Sequence, residues 1–457
     1  MKSVRISSGL ASMALLSLLA TFAGGCGAGG GGTSENGESS GGGTLGKDVS
    51  NTGTDSYHPV IAADSGGHVF VSWEEKATGS ATEIRLAASS DTGSSFSTKK
   101  GLSKSYCSRT GQISSDVSMV PGGDGSLYMV WKDEWPIQKT SEVKFLKEDG
   151  QSTSCKTVST SFTSARNIYS PHIGLLKSKG VQIAWEEDRA SQRDIFYTHS
   201  EDDGTTFLPS TGPVNISDTP SSDSSGPLLA FEGSLNVNAL WVEGSEGARS
   251  VALSRFTNGA DSFPAPQTIS DTNIDSHSPE IAISLYGEPY VAYKDDSSIY
   301  FTGYQVITSS FSPPEKISLN SQSPSHPKMA VSLNGMIYVV WSDSGGIWVA
   351  ISSDGGHSFA SPKDISSGTG TSSSPKIVAN GSYVTVVWVE EDTGGGDIFL
   401  SGSVDNGNSF SSPEDLSNNS SISRNPVIAL DGTGYIHVAW EEGPEGNREI
   451  YYKKIAQ

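Results

Sequence analysis

One unit recurs along the whole of this chain, and few folds accept such a pattern. A segment led by proline is followed, fourteen residues later, by a strand that ends in an aromatic residue. The pairs are Pro59/Trp73, Pro171/Trp185, Pro227/Trp241, Pro279/Tyr293, Pro327/Trp341, Pro426/Trp440 and, at thirteen residues, Pro375/Trp388; Val117/Trp131 is an eighth copy without the proline. Apolar residues alternate in the second strand, as in Val181-Ile183-Trp185 and Ile436-Val438-Trp440, and a period of two sets one face of a β-strand against a packed layer. Glycine stands six residues before the aromatic at Gly67, Gly125, Gly287, Gly335 and Gly434, where a tight hairpin needs a positive φ. Internal repetition of this kind points to an all-β propeller.

A third strand opens on an acid (Glu83, Glu142, Asp194, Asp397, Glu449) and leads to the signature Ser-x-Asp-x-Gly-x-x-Phe. It stands at Ser89/Asp91/Gly93/Phe96, Ser200/Asp202/Gly204/Phe207, Ser352/Asp354/Gly356/Phe359 and Ser403/Asp405/Gly407/Phe410. These four segments resemble the Asp boxes of sialidase-type β-propellers, and the resemblance covers residues 45–457. It implies a turn between the third and fourth strands of a blade, with Asp91, Asp202, Asp354 and Asp405 accepting backbone N–H bonds and the aromatic packed beneath. The residue types suit that structural role, since Asp satisfies turn amides and Gly takes unusual dihedrals.

Fourth strands end in an aliphatic residue and Ser: Leu102-Ser103, Val158-Ser159, Ile216-Ser217, Ile269-Ser270, Ile317-Ser318, Ile365-Ser366 and Leu416-Ser417. The last unit stops after its third strand, and the missing segment stands ahead of the first, where Gly46-Lys47-Asp48-Val49-Ser50 matches Pro362-Lys363-Asp364-Ile365-Ser366. The expected fold is an eight-bladed β-propeller of four-stranded blades, closed by the N-terminal strand completing the last blade, which leaves no open sheet edge.

Residues 1–25 combine a basic start (Lys2, Arg5), an apolar run from Leu10 to Phe22 and small residues before Cys26. They are similar to a bacterial lipoprotein signal peptide, which implies cleavage before Cys26 and its lipidation, although Ala23 stands where leucine is commonest; the alternative is an ordinary secretory signal. Residues 26–44, largely Gly and Ser, read as a flexible tether. The chain is therefore expected in the bacterial cell envelope, at the outer membrane, with the membrane touched only through the anchor, and as a monomer. In an oxidising compartment Cys107 and Cys155 either pair as a disulfide or remain as two buried thiols.

With 51 acidic against 30 basic residues and a net charge of −21, the chain has no basic stripe for nucleic acid. Much of the acid follows the repeated aromatic: Glu74-Glu75, Asp133-Glu134, Glu186-Glu187-Asp188, Glu243, Asp295-Asp296, Asp343, Glu390-Glu391-Asp392 and Glu441-Glu442. The phase puts these acids on the rim opposite the Asp boxes. There they either accept loop amides or form a ring of charge able to attract Ca²⁺, although no EF-hand-like loop supports a metal and no cofactor is expected.

Arg109, Arg166, Arg189, Arg193, Arg249, Arg424 and Arg448 share that rim by phase. Sialidases hold a substrate carboxylate with three arginines and use a Tyr activated by Glu with an Asp acid/base, so the resemblance makes Tyr57, Tyr169, Glu187 and Asp133 catalytic candidates by type. The family's Arg-Ile-Pro motif is absent, and eight units depart from the sialidase six. The binding candidates are Arg109, Arg166, Arg189, Arg424 and Trp135, an aromatic that breaks the repeat beside Pro136 and serves either a ligand or its own loop. His58, His172, His277 and His326 flank the prolines, with hydrogen bonding as their expected role. The leading expectation is a non-catalytic, lipid-anchored propeller binding a glycan or protein through an acidic, Arg-containing rim. The alternative is a sialidase-like glycoside hydrolase.

Overall fold

Short alternating segments separated by Gly, Ser and Asp turns give strands, and each repeat forms its own antiparallel sheet. The computed structural model describes residues 46–457 apart from 78, 80, 98–99, 108–111, 138–139, 151–154, 160–166, 177–179, 190–191, 220–221, 233–235, 258–262, 272–273, 320–322, 367–369 and 393–394. The leader, Cys26 and the tether lie outside the described residues. No helix among the described residues is long and apolar enough to cross a membrane.

The unit containing Trp185 shows the plan: Ile168–Leu176, Gly180–Arg189, Gln192–Ser200 and the short Val214–Asn215 pair in that order. The Trp73 and Trp131 units follow it and are joined into one larger sheet by a parallel pairing of Thr82 with Ile113. The Trp440 unit takes three strands, Ser423–Leu430, Tyr435–Glu442 and Glu449–Ala456, from the end of the chain. Its fourth is Lys47–Asp48, with Lys47 opposite Tyr452 and Asp48 opposite Tyr451. First strands pack on one another from unit to unit, and Ser56–Ala63 touches both Ile113–Pro121 and Ser423–Leu430. The result is a propeller-like stack of four-stranded sheets. The Tyr293 unit departs from the plan, since its third strand, Ser298–Gln305, turns back through Ser310–Phe311 before the fourth, Glu315–Lys316.

Apolar layers lie between neighbouring sheets. Trp185, for example, is buried in a cluster with Ile183, Phe196 and, from the preceding unit, Tyr128, Val130 and Phe145. The Asp boxes fasten the same junctions. In the box at Ser200, Asp202 accepts the Thr206 N–H at 2.7 Å and the Ser200 hydroxyl at 2.8 Å, while Ser200 Oγ accepts the Gly204 N–H at 2.9 Å. Asp91, Asp354 and Asp405 repeat these bonds. Donors crowding each carboxylate hold Asp202, Asp354 and Asp405 down to about 2, and Asp91 lower still. The box glycine abuts the preceding sheet: at Gly204, φ is +77° and a Cβ would stand 2.4 Å from the Phe145 ring.

The repeated terminal Ser clasps each two-residue fourth strand. Its Oγ accepts a third-strand amide, from Ile195 to Ser217 at 3.0 Å, from Ile299 to Ser318 at 3.0 Å and from Ile450 to Ser50 at 2.6 Å. Ser103, Ser159, Ser270, Ser366 and Ser417 do the same. A helix that the sequence did not announce, Leu102–Cys107, follows the first unit and carries Cys107 to Cys155, with Cα atoms 5.4 Å apart in a disulfide. At six residues it is too short to show a helical period.

Two substitutions test these fasteners. Ser50→Ala leaves the buried Ile450 amide without its acceptor and is expected to cost about 1–3 kcal/mol. Gly204→Ala combines an unfavourable φ with a clash against Phe145 and should cost at least as much. Gly53→Ala is the control for the second, because φ there is +65° but an added Cβ meets nothing within 4 Å. In urea or thermal melts Gly204→Ala should fall well below Gly53→Ala, and Ser50→Ala well below the parent.

Candidate functional site

Alternation sorts the rim acids into two layers. The acid two residues beyond the aromatic shares its face and turns back to it. Trp131 Nε1 donates to Asp133 at 2.8 Å, Trp185 to Glu187 at 3.2 Å, Trp388 to Glu390 at 3.0 Å and Trp440 to Glu442 at 2.8 Å. Trp73 and Trp241 donate likewise to Glu75 and Glu243. A first-strand hydroxyl completes several of these: Ser114 donates to Asp133 at 2.7 Å and Ser423 to Glu442 at 2.8 Å. Trp341 is the exception, its indole N–H being buried without a partner among the described residues. Asp133 and Glu187, the carboxylates considered for catalysis, are thus buried indole acceptors. Burial pushes the Asp133 carboxyl up to about 6 against the bonds from Ser114 and Trp131.

The acid one residue beyond the aromatic lies on the other face and reaches the next unit. Glu74 accepts the Asp116 N–H at 3.0 Å, Glu186 that of Gly226 at 2.7 Å and Glu441 that of His58 at 2.9 Å. Each amide belongs to a β-bulge. The register of the first strand breaks there, and the residue before the proline position is left-handed in every unit, with φ of 51° at His58, 57° at Asp116, 47° at Ser170, 62° at Gly226, 50° at Ser278, 54° at His326, 55° at Ser374 and 52° at Asn425. Proline suits the bulge because it needs no ladder donor.

The described rim arginines are held separately, at different junctions. Arg448 Nε and Nη2 each reach Asp55 at 2.8 Å, with Nη1 3.3 Å from Glu441. Arg249 forks onto Asp275. Arg193 contacts Glu186 at 3.2 Å and Asp188 at 3.3 Å. Arg424 donates to the Gly443 carbonyl at 3.1 Å. Arg109, Arg166 and the Arg189 side chain lie outside the described residues. Tyr57 lies under the Arg448 guanidinium and Tyr169 under that of Arg193, each 4.5 Å from ring centre to cation. Burial, aided by Glu74 at Tyr57 and by Asp188 at Tyr169, raises both phenol pKa values, the direction opposite to activation of a nucleophile. Trp135 ends its strand with Lys144 Nζ 5.7 Å from the ring centre.

The bulges converge on a central cavity. One part, of about 630 Å³, is walled by six units, and a second, of about 290 Å³, shares Asp116, Val117, Ser374 and Lys376 with it. The residue directly after each bulge proline, or after Val117, faces this space. Five are uncharged at neutral pH: Val60, Ser118, Leu228, Val427 and His172, whose imidazole pKa is lowered by burial to about 4. The other three are Glu280, Lys328 and Lys376. Sequence reasoning passed over these three because they break the repeat; the signal was a charge in the step after the proline in three successive units. A larger cavity, of about 780 Å³, lies on the Asp-box side where the Tyr293 unit lacks a box, with the exposed Tyr286 and Ile307 beside it. Two of its three acids are engaged, Asp354 within its box and Glu288 by Ser284 at 2.7 Å, while the third, Glu315, is exposed. Among the described residues no group of three His, Cys, Asp or Glu side chains is placed to hold a metal ion.

No protein-family model and no curated protein sequence matches the chain. Among solved structures, an ulvan lyase of polysaccharide lyase family PL25 overlaps 90% of this chain and 96% of its own at 10% identity, with a TM-score of 0.48. The α-L-arabinanase of Penicillium chrysogenum overlaps 75% and 93% at 12% identity, with a TM-score of 0.43. The NanB sialidase of Streptococcus pneumoniae overlaps 91% and 70% at 12% identity, with a TM-score of 0.40.

The raised Asp133 makes a pH prediction. Its folded pKa of about 6 exceeds the ordinary 3.8, so the folded state favours the protonated acid. Its contribution is full below about pH 4 and is lost as pH rises to about 6 and beyond, a change on the order of 1–3 kcal/mol. Asp133→Asn keeps an acceptor for Trp131 and removes the titration. Urea unfolding from pH 4 to 8 should show the variant gaining on the parent through that window, and a constant difference would refute the assignment.

Proposed function

We propose that this chain is an exported, lipid-anchored, eight-bladed β-propeller that binds the end of a glycan in its central cavity without transforming it. One observation carries the reading: Asp133 and Glu187 are bonded to buried indoles and Arg193, Arg249 and Arg448 to acids of the protein itself, whereas the cavity holds a charged side chain with no partner among the described residues, Lys376. A cavity of about 630 Å³ is of the size that takes a small molecule or a sugar end group rather than a folded surface. Closure by the N-terminal strand fits the pairing of Lys47–Asp48 with the last strand, and the anchor rests on the leader and Cys26. The hydrolase reading would need freed carboxylates. Asp133 and Glu187 are bound to indoles, and Tyr57 and Tyr169 are held as phenols.

The discriminating experiment sets a glycan array beside a panel of fluorogenic glycosides. Saturable glycan binding with no release of fluorophore is expected. Turnover abolished by Asp133→Asn or Glu187→Gln in a folded variant would establish the hydrolase instead. Incorporation of labelled fatty acid, lost in Cys26→Ala, tests the anchor.

A further inference from the structure

Three successive units place charge at the same step of the repeat. Glu280, Lys328 and Lys376 follow the bulge prolines of His277–Ile283, Ser325–Val331 and Thr371–Asn380, and all three line the central cavity. Glu280 and Lys328 form an ion pair. Lys376 differs from the other lysine: it is half-buried and has neither a hydrogen-bond nor an ion-pair partner among the described residues. Burial pulls its pKa below the ordinary ammonium value, and its charge acts on Lys328 in the same direction. An isolated cation taken from water is costly unless something pairs with it. In a chain of net charge −21 carboxylates are plentiful, yet the two described ones on this wall, Glu280 and Asp116, are paired with other lysines.

The charge count selects the partner. Glu280 offsets Lys328, and Asp116, the second carboxylate on this wall, has Lys132 3.8 Å away, which leaves Lys376 as the unpaired positive charge among the described lining residues. A monovalent anion balances it, whereas a dianion would leave an excess negative charge beside Glu280 in a partly desolvated space. A neutral polar group is also on hand: His172 lines the same cavity, and its Nδ1 is buried without a partner among the described residues. At neutral pH the ring carries no charge, since burial lowers its pKa to about 4, so it can bond a ligand oxygen without altering the balance.

We propose that Lys376, beside the Glu280–Lys328 pair, binds the monovalent oxyanion of a ligand end group, a carboxylate or a sulfate ester, inside the central cavity. The proposal rests on the reading of that cavity as the binding site and names what the site selects. The overall negative charge of the protein sharpens the selection. A long polyanion is repelled at a distance, and only an end group small enough to enter meets the local positive charge.

Calorimetric titration of the full chain at fixed ionic strength tests it with four ligands: glucose, sodium glucuronate, glucose 6-sulfate and the largely dianionic glucose 6-phosphate. Glucuronate, glucose 6-sulfate or both should bind roughly tenfold or more tighter than glucose and the phosphate, and which of them does so tells carboxylate from sulfate ester. Lys376→Gln should remove that preference, and Lys376→Arg should retain it, with circular dichroism confirming that both variants fold. Equal binding of glucose and both monoanions to the parent overturns the proposal while leaving the cavity as a sugar site, and this comparison needs no variant. A preference unchanged in Lys376→Gln also overturns it. If glucose and the anions all fail to bind, the cavity reading falls with it.

Discussion

The bond from a repeated tryptophan to the carboxylate two residues beyond it is the constraint on which the rest of this structure depends. Alternation sets both side chains on one face of the second strand, at the end where the sheet meets the rim. A buried indole N–H left without an acceptor is costly, and at six of the seven repeated tryptophans the carboxylate supplies one, as between Trp440 and Glu442. Where a first-strand serine joins, as Ser423 does, the bond ties two strands together at their ends. It also directs the intervening residue to the opposite face. That is how Glu74, Glu186 and Glu441 come to cap the left-handed amides of the next unit. One local pairing therefore fixes both the inside of a unit and its contact with its neighbour.

This changes what the acidity of the chain means. A ring of carboxylates after each aromatic suggests a charged surface ready for cations. In the structure the inner acids are buried acceptors, and several outer ones brace bulges or pair with arginine. Arg448, Arg249 and Arg193 are each tied to acids at their own junction, and arginines so held do not assemble into a shared carboxylate clamp. Charge available to a ligand is found instead at the centre, where Glu280, Lys328 and Lys376 occupy the step that Val, Leu, Ser or His fills in the other units.

The strand plan, the four Asp boxes and the displaced N-terminal strand were legible in the sequence because each is repeated at fixed spacing, and repetition is what spacing arguments detect. The disulfide was one of two open readings, decided by a short helix that no period announces. The pairing of Glu187 and Asp133 with tryptophan was implicit in the alternation, since residues two apart share a face, but the same alternation says nothing about whether the acid turns inward. The left-handed residue before each proline is invisible to composition because His, Asp, Ser, Gly and Asn all fill it. Lys376 is a different case. A binding residue departs from the repeat, and only the fold shows that three such departures face one space.

Within this account the indole–carboxylate bond stabilises the rim directly, and a double-mutant cycle measures it. Trp388→Phe and Glu390→Met, alone and together, isolate the bond between two side chains that are buried and 3.0 Å apart, since each single change removes the donor or the acceptor. Equilibrium urea unfolding should return a coupling energy of about 1.5–3 kcal/mol, as for a hydrogen bond to a charged group. A coupling near zero, with the two single losses simply adding, would contradict the claim that the rim acids are structural.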